Sequence, residues 1–85
     1  MNAVQLEPFD ELIAELQAHG LSPAAESIST LKGSAWTSSS EMIGELGMAV
    51  LRIQSDNATA PNDVRQALSR CMKEVRKVWP NIKLP

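Results

Sequence analysis

The chain has little of what most active sites are built from. Its one cysteine, Cys71, rules out an internal disulfide and a cysteine zinc cluster. Its one histidine, His19, reads as a poor metal or catalytic candidate, because it stands alone in its stretch of sequence. There is no HExxH, no glycine-rich phosphate loop and no GxSxG elbow, so hydrolytic and nucleotide-dependent chemistry lack their usual signatures. No apolar run is long enough to cross a membrane or to form the core of a secretory signal. No segment alternates with period two over enough residues to make a strand. Repeats and low-complexity tracts are also missing.

The N-terminal stretch carries acids where an export signal carries bases, so a cytoplasmic location is the expectation. On that expectation, the glycosylation pattern Asn57-Ala58-Thr59 is a chance match. Eighty-five residues make one domain with a thin core. Charge is unevenly spread along it. Residues 1–45 hold seven acids and one base, whereas residues 46–85 hold three acids and seven bases.

What the chain does have is helical periodicity. Ser38 and Glu41 stand at capping-box spacing ahead of a stripe at Ile43, Leu46, Val50 and Ile53. Met42 and Ala49 widen that stripe on one side, and Met48 and Leu51 lie off it on the other. This helix, about 39–55, has more apolar circumference than a single contact can bury. It is expected to be the central helix, packed on all three others, or else to keep Met48 and Leu51 for a partner. Gly44 and Gly47 weaken it intrinsically, which predicts close approach of another backbone.

Three further helices follow from the same rules. Pro8 opens the first, about 8–19, with an inward face of Phe9, Leu12, Ile13 and Leu16, and Gly20 stops it. Ser22 and Pro23 read as N-cap and first turn of the second, about 23–32, whose face is Ala25, Ile28 and Leu31. Trp36, in the polar link that follows, is expected to plug the end of the core. The fourth, about 61–79, carries the seam Val64, Leu68, Cys71, Val75 and Val78. Cys71 on that seam reads as a buried, inert thiol. In the tail, 80–85, Ile82 and Leu84 alternate and are placed to tuck against the rest. The fold class is therefore all-α, a small antiparallel four-helix bundle with a central third helix.

Function follows less directly. A serine prosthetic-group site of the acyl-carrier kind needs an Asp-Ser pair, and none occurs. No catalytic residue, cofactor or metal is expected. The favoured reading is a non-enzymatic interaction module that docks on another protein chain, a second copy or a different protein. Its candidate contact residues are Met48 and Leu51, the basic arc Arg65, Arg70, Lys73, Arg76 and Lys77, and the acidic arc Asp10, Glu11 and Glu15. In size and expected architecture the chain is similar to colicin-type immunity proteins, although it shares no motif with them. The alternative is nucleic-acid binding through the basic face of the fourth helix. Overall acidity and the want of aromatic residues among the bases count against that alternative. A basic helix lying on an anionic membrane ranks last, because its seam is needed for the core.

Overall fold

The computed structural model describes residues 4–85, and among them there are four helices and no strand. They are α1 (Glu7–Ala18), α2 (Ser22–Gly33), α3 (Ser39–Asp56) and α4 (Asn62–Val75). The chain is thus all-α, and Met1 to Ala3 of the N-terminal stretch lie outside the described residues.

Local chemistry sets most helix ends. Gly20 takes a φ of 75°, which carries no steric penalty without a side chain. That turn lets Leu21 N–H donate to the Leu16 carbonyl at 2.8 Å and Gly20 N–H to the Gln17 carbonyl at 3.2 Å. These two bonds form a Schellman motif, and they close α1 where the glycine predicts. At α3, Ser38 is extended and its Oγ accepts from Glu41 N–H at 3.1 Å. The reciprocal half of the capping box is absent, because Glu41 instead accepts from Thr37 Oγ1 at 2.7 Å. Asn57 closes the other end of α3, donating from its side-chain amide to the Ile53 carbonyl at 2.9 Å.

Two boundaries differ from expectation. Ser22 is the first helical residue of α2 and not its N-cap; Leu21 holds that position and no side chain caps it. The Schellman turn is the reason: it delivers Leu21 with its carbonyl already aimed at Ala25 N–H, 3.0 Å away. α4 ends at Val75 instead of Trp79. Past Val75 a turn of mixed bonding follows: Lys77 N–H and Val78 N–H bond i→i−3, to Glu74 and Val75, while Trp79 N–H closes back on the Val75 carbonyl at 2.9 Å. Pro80 then disfavours a helical Trp79.

Cross-helix contacts give the topology. Asp10 near the start of α1 bonds Lys32 near the end of α2. Pro8 O accepts from Cys71 Sγ near the end of α4. Ser40 O, at the start of α3, accepts from Trp79 Nε1 just beyond α4. Each of these pairs is antiparallel, and α2 and α3 must then be antiparallel as well. The helices form a closed ring in which α1 packs on α2 and α4, and α3 packs on the same two. The expectation that α3 would touch all three others is corrected here, since α1 lies diagonally across from it.

One core runs through the ring. It takes Phe9, Leu12 and Leu16 from α1, Ala25 and Ile28 from α2, Ile43, Leu46, Val50 and Ile53 from α3, and Val64, Leu68, Cys71, Met72 and Val75 from α4. Burial of side chains of this size, at about 1.5–3 kcal/mol each, is what holds helices too short to persist alone. Trp36 is not part of this core. It is half-buried, and its Nε1 donates to the Leu31 carbonyl at 2.8 Å, so it seals the end of α2 instead.

The surplus apolar face of α3 is met from inside the chain. Gly44 seats the Trp79 indole, and Gly47 seats Val75 and Ile82. The close approach that the glycines imply is therefore made by side chains of α4 and the tail, not by a second backbone. Ile82 packs on the core, as the alternation in the tail predicts.

Candidate protein-docking surface

Folding brings the two charged halves of the sequence together. α1 and α4 are neighbours, so part of the acidic arc faces part of the basic arc within one chain. Glu11 Oε2 lies 3.5 Å from Arg70 Nε, Asp10 is paired with Lys32, and Glu15 Oε2 lies 3.6 Å from His19 Nε2. Each of these pairs is partly exposed, so each contributes at most about 1 kcal/mol. Their larger effect is to engage the candidate acidic residues Asp10, Glu11 and Glu15 internally.

The basic arc is exposed along its length, at Arg65, Arg70, Lys73, Arg76 and Lys77. Arg76 and Lys77 lie past the last residue of α4, on the turn that follows it. The α1 edge of the arc is engaged: Arg70 with Glu11, and Lys77 Nζ with Glu74 Oε1 at 2.8 Å. Among the described residues, Arg65, Lys73 and Arg76 form no ion pair. Arg65 lies apart from the other two. It lines an open polar hollow with Gln54, Asn57 and Ser69.

Glu74 is a residue that the sequence pattern did not single out. It is 8% exposed, the buried charged group at the α1–α4 boundary. Its Oε1 accepts from Lys77 Nζ and from Gln5 N–H at 2.9 Å. The Lys77 hydrogen bond first, and the Gln5 amide second, hold its carboxyl below the usual glutamate range despite burial. The available signal was an acid flanking the seam, three residues before a lysine. Glu74 orders this end of the bundle and faces inward.

Met48 and Leu51 do not form an exposed apolar patch. Both are half-buried, and Leu51 packs on the core. Among the described residues, the exposed large hydrophobic side chains are Leu6 and Trp79, at 36% and 44%. Trp79 is the other residue that the periodicity missed as a contact. The sequence pattern makes it the last residue of a longer α4, about 61–79, whereas the helix stops at Val75 and leaves it outside. Its indole is fixed by the 2.8 Å bond to Ser40 O and by its seat on Gly44. Arg76 precedes it by one turn, and the exposed Lys83 follows it by four residues.

Among the described residues, no helix is long and apolar enough to cross a membrane. No family model matches this chain, and neither a curated protein nor a solved structure does.

Proposed function

We propose that the chain is a non-enzymatic interaction module that works in the cytoplasm by docking on another protein, in the manner of a small inhibitor, immunity-type or regulatory protein. One observation carries this reading: among the described residues Trp79 is the most exposed large apolar side chain, yet it is held in place. A pre-ordered tryptophan beside arginine is the composition of interface hot spots, and fixing it before contact lowers the entropy cost of binding. Exposed bases flank it in the chain, Arg76 three residues before and Lys83 four after, with Lys73 one turn earlier on α4, and among the described residues Lys73 and Arg76 form no ion pair. The partner is therefore a protein surface that offers carboxylates around an apolar pocket. A second copy is a weaker match, since Asp10, Glu11 and Glu15 are engaged within the chain.

Affinity capture from native extract tests this, with the wild-type chain run against Lys73→Glu/Arg76→Glu and Trp79→Ala. The expected result is a stoichiometric protein partner lost from both variants while each still unfolds cooperatively. Losing a tryptophan hot spot costs about 2 kcal/mol or more, roughly 30-fold in affinity. Equal capture by all three chains, or none by the wild type, overturns the reading. Light scattering identifies the second-copy case as a dimer that the same variants dissolve. The exposed bases also favour nucleic acid as a second reading, and titration with mixed-sequence DNA and RNA at low salt decides it.

A further inference from the structure

His19, solitary in sequence, has company in the fold. It ends α1 as the C-cap, and Glu15 stands one turn before it on the same helix. Asp63 arrives from the first turn of α4, which runs antiparallel beside α1. One ligand atom from each residue, a ring nitrogen and two carboxylate oxygens, all lie within 4.8 Å of one another. We propose that Glu15, His19 and Asp63 form a binding site for a divalent transition-metal cation of the zinc class, clasping the end of α1 to the start of α4.

The donor set and its spacing support this together. Around a tetrahedral ion with bonds of about 2.0–2.1 Å, ligand atoms stand roughly 3.3 Å apart. Glu15 Oε2 and His19 Nε2 are already 3.6 Å apart. Closing the remaining distance needs only side-chain rotation, because His19 and Asp63 are exposed and Glu15 is half-buried. Glutamate and histidine at i,i+4 project from one helix face, the spacing by which a helix chelates a single ion. The third donor comes from a separate helix, so the site exists only in the folded chain. Imidazole nitrogen beside two carboxylates suits zinc and its neighbours, whereas magnesium and calcium favour all-oxygen shells. Three protein donors leave the fourth position to water or to a ligand from outside. Among the described residues, neither Glu15 nor Asp63 is paired with a lysine or arginine that an ion would have to displace.

Calorimetric titration of tag-free, full-length protein with zinc chloride tests the site, with magnesium chloride as the contrast. The expected result is one zinc ion per chain, no magnesium binding, and a shift of the His19 ring resonances on saturation. His19→Gln and Asp63→Asn should each weaken zinc binding by ~10-fold or more, at least as much as loss of a supporting group around a metal costs. At about tenfold excess over its dissociation constant, zinc should raise Tm by roughly 5–10 °C in the wild type and not in either variant. Both substitutions fall on exposed side chains, and circular dichroism confirms that the variants remain helical. Absence of saturable zinc binding overturns the proposal. So does zinc binding that survives Asp63→Asn, or a preference for magnesium. This site lies at the opposite end of the bundle from Trp79, so its outcome is independent of the docking reading.

Discussion

A side chain at Gly47 would collide with Val75: a Cβ built there lies 2.6 Å from Val75 Cγ1 and 2.8 Å from Ile82 Cδ1. Val75 is fully buried and branched at Cβ, so it has no free direction in which to move. Gly47→Ala gains about 1 kcal/mol of helix propensity but incurs overpacking of about 1–3 kcal/mol. The expected result is a net loss of roughly 1 kcal/mol in urea unfolding. Gly44→Ala is the control. There the new Cβ meets Trp79 Nε1 at 3.2 Å, a contact that a shift of a few tenths of an ångström relieves without breaking the ring's bond to Ser40 O. Gly44→Ala should be neutral or slightly stabilising. If both variants lose equally, the packing of α4 and the tail on α3 is not what the glycines serve.

The two serines that precede helices in the sequence separate cleanly in the structure. Ser38 Oγ accepts from Glu41 N–H, so Ser38→Ala should cost about 1 kcal/mol, the usual value of a lost N-cap. Ser22 makes no cap bond, and Ser22→Ala should fall within about 0.5 kcal/mol of wild type. Paired urea unfolding curves read the difference directly. Equal losses would restore Ser22 as the cap of α2.

This contrast shows what was legible in the sequence. Helical periodicity located all four helices and nearly every core residue, because an amphipathic stripe needs no knowledge of its neighbour. Gly20 and Ser38 were readable for the same reason: their work is done within a few residues. Ser22 misled because its role depends on how α1 ends. Trp79 misled because it stands four residues after Val75, next to Val78 of the expected seam, and only the turn that replaces the helix after Val75 leaves it outside. The charge asymmetry was visible, but its pairing was not. Whether Glu11 meets Arg70 in the same chain depends on the order of helices around the ring, which no local pattern encodes.

Cys71 is expected to be unreactive in the folded protein. It is fully buried, and burial is the main reason its thiol is pushed up to about 12. At pH 8 very little thiolate forms, and the thiol proton is occupied by Pro8 O, 3.2 Å away. A disulfide reagent should therefore react at the rate of unfolding, and immediately once urea is added. Fast labelling without denaturant, with helicity intact, would mean that α1 and α4 separate far more readily than their packing implies.

Glu74 should make stability depend on pH in a particular direction. Its carboxyl is held below the ordinary glutamate value of 4.5 in the folded chain, with the Lys77 hydrogen bond as the first cause. A lowered folded value means that the unfolded chain binds the proton more tightly, so the carboxylate stabilises the fold above the ordinary value. That contribution is fully present at pH 7. It is lost as pH falls from near 4.5 through the lowered folded value. Glu74→Gln keeps a side-chain oxygen for Gln5 N–H but gives up the charge that Lys77 meets. The difference in unfolding free energy between wild type and variant should therefore favour wild type at pH 7 and shrink toward zero in acid. Other carboxylates titrate in the same range, but they do so in both proteins and cancel in the difference. A gap that stays constant from pH 7 to pH 3 would show that Glu74 acts by shape and hydrogen bonding alone.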